Sequence, residues 1–334
     1  MCTSHSRSGP SAGRSETVSL IVLNWNGERC LLDCIASLTA VDYPSREIIL
    51  VDNGSTDDSV QRVAAAFPHV NIIEIGRNLG YAGGMNIGLA SATGDVIVLL
   101  NNDVIVPPNW LQELVAGMES DQRIGIAGCK LFFADGVTIQ HAGGYVKHPL
   151  GTTGHFGYGQ RDDGRLNVQT DVDYVTGAAM AIRRAALDEI GTLDRGYWFY
   201  YEDVDLCYRA RRKGWRVVYV PKASLIHLES ATMVRDSTGY LRNLHRGRIR
   251  FALKAMPARR FVEEFVPAEL AWLEHGATQP EHRVLASAYM LGILAVPSLA
   301  MAEGSDGTEA DGIHLLISGL STLWERTRLL RVWI

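Results

Sequence analysis

One stretch of this sequence, Val96-Ile97-Val98-Leu99-Leu100-Asn101-Asn102-Asp103, changes abruptly from apolar to small polar side chains. Its length, with Thr93-Gly94-Asp95 before it and Pro107-Pro108 after it, is typical of a strand buried on both faces. Such a strand brings its last side chains to the carboxyl edge of the sheet, where open α/β sheets bind ligands. Asn and Asp oxygens there suit a hard cation such as Mg²⁺ or Mn²⁺, although the same residues also form ordinary turns.

Segments on both sides of this stretch alternate between strand-like and helix-like patterns. Strands are predicted at residues 18–23, 47–51, 70–75, 124–132, 174–182, 216–220 and 223–227. Helices are predicted at residues 28–39, 85–92, 110–118 and 202–213, and a further helix, with Ser55 and Asp58 as a capping box, should end near Phe67. This alternation indicates an α/β domain with a mostly parallel sheet. The loops at residues 24–27, 52–55 and 101–103 should then lie together at one sheet edge.

The composition of the 334-residue chain is that of a globular protein, with 47% hydrophobic and 21% charged residues. Its net charge of -5 argues against nucleic acid as the main partner. The five cysteines have no framework spacing, which favours a reducing, cytosolic environment. Residues 1–16 lack the apolar core of a signal peptide and predict a disordered tail. Motifs of dinucleotide-binding folds and P-loop NTPases do not occur.

Two segments each allow a functional and a plain structural interpretation. Residues 77–86 combine Arg77 with several glycines before a predicted helix, which suits either a diphosphate cradle or an ordinary strand-to-helix loop. Residues 136–171 are Gly-rich and contain His141, His148 and His155, whose spacing matches no metal-binding pattern. We therefore expect a surface loop over residues 136–171.

Five consecutive aromatic residues, 197–201, precede the acids Glu202 and Asp203. So many aromatic side chains cannot all fit one buried face, and aromatic rings beside carboxylates are typical of sugar-binding sites. Trp198, Tyr200 and Tyr201 are therefore candidates for stacking on a sugar or acceptor. The alternative, acids that favour a helix N-terminus, explains Asp205 but not the aromatic run.

Six segments in order over residues 18–230 resemble family 2 glycosyltransferases of the GT-A fold, especially the bacterial rhamnosyltransferase type. The segments that carry the resemblance are residues 22–26 (VLNWN), 51–57 (VDNGSTD), 78–86 (NLGYAGGMN), 100–103 (LNND), 177–178 (GA) and 201–206 (YEDVDL). The resemblance implies a GT-A α/β domain at residues 17–240, followed by a helical C-terminal extension at 241–334. It also implies an inverting transfer of a sugar from a nucleoside diphosphate.

The resemblance also implies roles for individual residues. The nucleotide sugar would contact Asn24, Asn26, Asp52, Asn53, Arg77, Asn78, Gly83 and Asn102, with Asp52 on the base and Arg77, Asn78 and Gly83 along the diphosphate. Asp103 would bind Mg²⁺ or Mn²⁺, together with His227 as in some members. Asp203 would be the general base, and Glu202 would help to orient the acceptor.

Two departures from the family pattern concern the metal. Asn101 stands where an Asp-x-Asp motif often has its first acid, so metal binding should be weaker or dispensable. Leu228 and Glu229 follow His227 where glycines are common in the family, which makes the role of His227 the least supported.

The C-terminal extension is basic and then apolar. Eight basic residues precede its first acid, Glu263: Arg242, His245, Arg246, Arg248, Arg250, Lys254, Arg259 and Arg260. An uncharged run at 284–302 and an amphipathic segment at 313–333 follow, as in helices that lie at a membrane interface. A helical cap on the catalytic domain or a dimer contact explains the same pattern.

By resemblance, the donor is expected to carry a deoxyhexose, as in dTDP-rhamnose, and the acceptor is a cell-envelope or polyprenyl-diphosphate-linked glycan. The alternatives are a hexosyltransferase that uses a UDP- or GDP-sugar and a catalytically silent scaffold that binds a glycan or nucleotide. The enzyme should be cytoplasmic and peripheral at the inner face of the membrane. The sequence leaves assembly into a homo-oligomer open.

Overall fold

The computed structural model of this chain describes residues 16–229, 236–302 and 309–332. Nearly all of the predicted disordered tail therefore lies outside the described residues. The strands are β1 (Val18–Asn24), β2 (Arg46–Asp52), β3 (Asn71–Glu74), β4 (Val96–Asn101), β5 (Val104–Ile105), β6 (Ile124–Phe132), β7 (Ile139–His141), β8 (Gly144–Lys147), β9 (Thr152–His155), β10 (Thr170–Asp171), β11 (Ala179–Arg183) and β12 (Arg216–His227).

The helices surround the sheet and form the C-terminal extension. They are α1 (Leu31–Thr39), α2 (Ser59–Ala66), α3 (Gly80–Ser91), α4 (Trp110–Glu119), α5 (Arg184–Ile190), α6 (Glu202–Arg212), α7 (Thr238–Ala255), α8 (Ala258–Arg260), α9 (Val266–His275), α10 (Gln279–Ala302) and α11 (Glu309–Val332). A π-helical segment, Phe261–Phe265, joins α8 to α9.

The central sheet has the order β10-β12-β6-β11-β4-β1-β2-β3. Neighbours in the half from β4 to β3 are parallel, whereas β11 runs antiparallel to both β4 and β6. The predicted α/β class with a mostly parallel sheet is confirmed. Parallel strands end at one edge, and this edge therefore collects the loops that follow β1, β2 and β4.

Strand β4 is buried on both faces, as its unbroken apolar sequence predicts. Val98 and Leu100 pack in one core with Trp110 of α4. Leu99 points to the opposite side and shares a second core with Met85 of α3. The strand is thus fixed from both sides, which holds its polar C-terminal end in a defined position.

Several boundaries differ from the sequence predictions; for example, the strand predicted at 174–182 is β11, Ala179–Arg183. Helix α3 begins at Gly80 rather than Met85, because its glycines let it lie close to the sheet: a Cβ on Gly88 would be 2.4 Å from Ile21 Cγ2. The capping box is wrong, since α2 begins at Ser59 and the Ser55 hydroxyl donates to Asp52 instead. The two predicted final strands are one strand, β12, with an irregular register after Val220.

The expected surface loop at residues 136–171 is also wrong in part. It contains β7 to β10, and His141 is buried with its Nδ1 2.9 Å from Nδ1 of His155. His148 is exposed, as expected for a loop residue.

The extension has a core of its own and is also joined to the sheet domain. Its apolar cluster includes Phe261, Tyr289 and Leu320. A buried ion pair lies beside this cluster, with Arg248 Nη1 2.8 Å from Glu269 Oε2. The Tyr289 hydroxyl donates to Oε1 of the same carboxylate at 2.6 Å. These contacts stabilise α7, α9 and α10 as one packed unit.

Helix α7 packs on α6 through charged contacts that the sequence did not reveal. Lys254 Nζ lies 2.9 Å from Asp194 Oδ2 and 2.5 Å from Asp205 Oδ1, and Arg250 also binds Asp194. Arg250 and Lys254, two residues of the basic run that was expected to lie at a membrane interface, are therefore paired within the fold.

Candidate active site

Asn24 connects the three loops that meet at the edge of the parallel strands. It is buried at the end of β1, and its amide donates to the hydroxyls of Ser55 and Ser59 at 3.1 and 3.0 Å. Asn102, which follows β4, donates to Asn24 Oδ1 at 2.8 Å. The loops predicted to lie together are thus connected by side-chain hydrogen bonds.

The loop after β2 is shaped by Asp52 and braced by Asn26. The buried Asp52 carboxylate accepts hydrogen bonds from the backbone N–H of Ser55, at 3.1 Å to Oδ2, and from its hydroxyl. Asn26, with a positive φ of 53°, accepts from the Thr56 N–H through its side-chain oxygen at 2.8 Å. The predicted nucleotide ligands Asn24, Asn26 and Asp52 therefore form one hydrogen-bonded group.

The start of α3 is capped by asparagine side chains. Asn53 Oδ1 accepts from the Leu79 N–H, and Asn78 Oδ1 accepts from the Gly80 N–H, both at 2.8 Å. These two amides are therefore occupied within the fold, and the diphosphate contacts of Arg77, Asn78 and Gly83 stay a prediction. Gly83 is buried in the second turn of α3, and exposed Arg77 is the cationic group of this segment.

Asp103 and His227 are brought together by the pairing of β5 with β12. In that pairing His227 lies opposite Val104, and the Leu228 N–H donates to the Asp103 carbonyl. His227 Nε2 is 3.0 Å from Asp103 Oδ1, and both side chains are largely buried. The other ring nitrogen, Nδ1, lies 2.6 Å from Gln140 Oε1 on β7.

This pair fits a divalent cation. A proton on His227 Nδ1, donated to Gln140 Oε1, leaves a lone pair on Nε2, which lies 3.0 Å from Asp103 Oδ1 and 3.2 Å from the Asn101 amide nitrogen. Ligand distances of about 2.1 Å at right angles separate adjacent ligand atoms by about 3 Å, close to the observed separation. Across residues 16–229, 236–302 and 309–332 no cluster of three such side chains occurs. The described part of the chain therefore offers Asp103 and His227 as two ligands, and diphosphate or water oxygens would supply the others.

The acids Glu202 and Asp203 lie in the first turn of α6. Asp203 Oδ2 accepts a hydrogen bond from the Gly177 N–H at 3.1 Å, and Oδ1 accepts from the Val204 N–H. Glu202 is 5% exposed, and its Oε2 has no hydrogen-bond partner within the described part of the chain. Burial raises the pKa of both carboxyls, and the Asp203 charge further raises the pKa of Glu202. An ionised Asp203 beside a protonated Glu202 can accept a proton from a hydroxyl.

The aromatic run has exposed and buried members. Trp198 is 44% exposed and Tyr200 is half-buried, so both can contact a ligand. Tyr201 is only 4% exposed, and its hydroxyl donates to the Gly151 carbonyl. The prediction that Tyr201 stacks on a sugar is therefore inconsistent with its place in the core.

Two residues that contact parts of the candidate site were not predicted. Tyr81 is buried against Phe199, and its hydroxyl donates to the Gly177 carbonyl at 2.6 Å. Gln140 is buried beside His227. Gln140 could not be found from the sequence, because it lies on a three-residue strand in a segment that was interpreted as a loop.

The chain belongs to glycosyltransferase family 2. The family, described as "Glycosyl transferase family 2", matches residues 19–191, just over half of the chain. The protein is thus a glycosyltransferase, and the silent-scaffold alternative is set aside.

The relatives extend this similarity beyond residue 191. An N-acetylglucosaminyl-diphospho-decaprenol L-rhamnosyltransferase of Mycobacterium tuberculosis is 28% identical over 233 residues, 64% of this chain and 76% of that enzyme. An uncharacterized protein of Sinorhizobium fredii is 30% identical over 213 residues, 59% of this chain and 22% of that protein. The O-antigen biosynthesis protein RfbC of Myxococcus xanthus is 30% identical over 63% of this chain and 17% of its own length. The match thus spans about a fifth of the two longer relatives.

Solved structures confirm the GT-A fold. A mannosyltransferase of Pyrobaculum calidifontis, in complex with GDP-Man and Mn²⁺, has a TM-score of 0.51 at 18% identity and covers 96% of this chain and 85% of its own. S. aureus TarS 1–349, in complex with UDP-GlcNAc, has a TM-score of 0.54 at 16% identity, with 94% and 92% covered.

Proposed function

We propose that this glycosyltransferase moves a sugar from a nucleoside diphosphate to a glycan hydroxyl with inversion at the anomeric carbon. The observation that carries the proposal is the loop before β11, which touches both halves of the site. The Gly177 N–H donates to Asp203, and the adjacent Ala178 carbonyl accepts from the N–H of Asn101, two residues before Asp103. The proposed base and the proposed metal-binding carboxylate thus lie on two sides of one short loop.

The residues divide the reaction between them. Asp203 accepts the proton of the acceptor hydroxyl as its oxygen bonds to the anomeric carbon. The bond from that carbon to the diphosphate breaks, and the diphosphate leaves with both electrons. A cation on Asp103 and His227 would neutralise the departing charge. Trp198 and Tyr200 are proposed to contact the sugar or acceptor.

The proposed donor is dTDP-rhamnose, and the proposed acceptor is a polyprenyl-diphosphate-linked or other cell-envelope glycan. The similarity to the N-acetylglucosaminyl-diphospho-decaprenol L-rhamnosyltransferase of Mycobacterium tuberculosis supports the rhamnosyl group and the lipid-linked acceptor, and the dTDP nucleotide is proposed from the family resemblance. The second candidate is a hexosyltransferase that uses a UDP- or GDP-sugar, favoured by structural neighbours with UDP-GlcNAc and GDP-Man.

A thermal-shift titration with dTDP, UDP, GDP and CMP, each with and without Mn²⁺, separates these donors. Binding to the folded state raises the melting temperature by mass action. We expect a Mn²⁺-dependent shift with dTDP that is lost in Asp103→Asn. A larger shift with UDP or GDP would move the assignment to the second candidate, and no shift with any nucleotide would contradict the proposed donor class.

The role of Asp203 is tested by Asp203→Asn, which keeps the size of the side chain but removes the base. We expect release of dTDP from dTDP-rhamnose in the presence of a glycan acceptor to fall about 10²- to 10⁴-fold, with an unchanged nucleotide thermal shift. The control is Asp188→Asn, an exposed acid on α5. Wild-type turnover in Asp203→Asn would rule out this residue as the base.

We also propose that the enzyme works at the cytoplasmic face of the membrane. Within the described residues, Gln279–Leu299 of α10 is long and apolar enough to cross a membrane, and 44% of its most apolar window is buried in the fold. Leu291 and Leu294 of this helix face solvent. This exposed apolar side suits shallow insertion into lipid rather than a full span. Liposome flotation tests the attachment.

A further inference from the structure

The two residues before the acid pair have an unusual backbone. Tyr200 and Tyr201 have φ values of 73° and 72°, in the left-handed region that residues with a Cβ rarely adopt. Tyr201 is also the N-cap of α6, and Glu202 and Asp203 are the first two residues of this helix. The conformation of the turn therefore sets the orientation of both acidic side chains. Such a conformation persists only where the surrounding structure holds it.

Helix α7 of the C-terminal extension covers this turn. The ring of Tyr240 lies 5.1 Å from that of Tyr200, and the ring of Phe251 lies 5.9 Å from that of Tyr201. Gly247 lies between these two contacts, on the same face of the helix. A Cβ on Gly247 would be 2.7 Å from the Tyr200 carbonyl oxygen and 3.1 Å from Tyr201 Cβ. The helix backbone can touch the turn only because this residue has no side chain.

We propose that Gly247 is a positioning residue for catalysis. Because it has no side chain, α7 can pack directly on the Tyr200–Tyr201 turn. This turn then holds Asp203 against the Gly177 N–H. This inference rests on the proposed function, because it assumes that Asp203 acts on the acceptor. It assigns a part of the catalytic geometry to the C-terminal extension, beyond the residues matched by the family.

The alternative is that Gly247 serves only the packing of α7. Gly292 provides the matched control, because it is another buried glycine in a helix of the extension. A Cβ on Gly292 would be 3.1 Å from Ile249 Cγ2 and 3.3 Å from Leu320 Cδ1, and none of its three nearest atoms belongs to the turn. Gly247→Ala and Gly292→Ala both add one methyl group and raise helix propensity, but only the first should move Asp203.

The experiment compares both variants in the full chain by two measurements. The first is hydrogen exchange over residues 174–180 and 198–206, which needs no substrate. We expect faster exchange in Gly247→Ala and wild-type exchange in Gly292→Ala. The second is steady-state release of dTDP from dTDP-rhamnose with a glycan acceptor. In this assay kcat should fall at least about tenfold in Gly247→Ala, because Asp203 is misplaced. The donor KM and the dTDP thermal shift should not change.

Wild-type exchange and wild-type kcat in Gly247→Ala would overturn the inference, as would equal losses in Gly292→Ala. If Gly247→Ala does not fold, Phe251→Leu weakens the neighbouring contact of α7 with the turn, because it removes the ring that packs on Tyr201. Faster exchange at the turn in that variant supports the inference, and unchanged exchange rejects it. Absence of turnover in the wild type would instead reject the proposed donor. The hydrogen-exchange comparison would then still test whether Gly247 positions the turn, because it needs no substrate.

Discussion

Glu202 and Asp203 are neighbours in the chain but have different surroundings. Asp203 is partly exposed and accepts two backbone N–H groups, which stabilise its charged form. Glu202 is buried beside that charge, with one oxygen unpartnered in the described residues. The difference favours one charge on the pair, on Asp203, and makes Glu202 a donor of a hydrogen bond rather than a second base.

Glu202→Gln should make the folded protein more stable at alkaline pH. Because the pKa of Glu202 is raised by burial and by Asp203, the folded state binds the proton more tightly than the unfolded state does. Stability due to this proton is therefore present below the unfolded pKa and is lost as pH rises through the raised pKa. Each tenfold preference for the proton corresponds to about 1.4 kcal/mol. The free energy of unfolding, measured in urea at pH 5 and pH 9, should rise in the variant relative to the wild type only at pH 9. The same difference between variant and wild type at both pH values would contradict this account.

A site residue could be predicted from the sequence when it belongs to a short polar motif directly after a strand. Asn24, Asp52 and Asp103 were found because each ends an apolar run, and the structure brings their loops together. Tyr201 was misjudged because five adjacent aromatics give no signal of which ring turns inward. That choice is made by the positive φ values of the turn and by Phe251, which is 50 residues away in sequence.

At the scale of single elements, α3 shows why helix propensity misplaced a boundary. Glycine lowers helix propensity, so residues 80–84 were interpreted as a turn. In the structure the same glycines are helical because a side chain would collide with the sheet, as a Cβ on Gly84 would with Leu23 Cδ1 at 2.5 Å. Packing against β1 and β2 therefore outweighs the local preference.

The stability of the extension should depend on one buried ion pair, Arg248–Glu269, which joins α7 to α9. Arg248→Met should lower the free energy of unfolding by about 3–5 kcal/mol, because it leaves the Glu269 carboxylate buried without its cation. Adding Glu269→Leu should restore part of the loss, although the Tyr289 hydroxyl then loses its acceptor. Guanidinium unfolding of both single variants and the double variant measures the coupling. If the double variant loses as much unfolding free energy as the two single variants together, the two side chains are not coupled.

For the molecule as a whole, the charge of the extension is the least predictable property. A basic run in sequence suggests a solvated or membrane-facing surface, yet Arg248, Arg250 and Lys254 bind acids within the fold. Their partners lie far away in sequence, so no local pattern reveals them. We therefore propose lipid contact through exposed apolar side chains of α10, such as Leu294, rather than through these three cations.

Flotation with phosphatidylglycerol–phosphatidylcholine liposomes tests that contact. Leu294 is 70% exposed, and burying a leucine is worth about 1.5–3 kcal/mol, so Leu294→Glu should weaken binding about tenfold or more. Val168→Glu is the control, because Val168 is 72% exposed on the catalytic domain. A wild-type chain that stays at the bottom of the gradient would end the membrane proposal, as would unchanged flotation of Leu294→Glu.

The pairing of β5 with β12 also determines when the Asp103–His227 pair can form. Asn101 and His227 are in contact although 126 residues separate them, and closing so long a loop costs conformational entropy early in folding. The strand that contains His227 lies between β6 and β10, inside the sheet. A nascent chain whose β12 is still within the ribosome therefore has the loops after β1, β2 and β4 but lacks His227, so the proposed cation site would be completed only after β12 has joined the sheet.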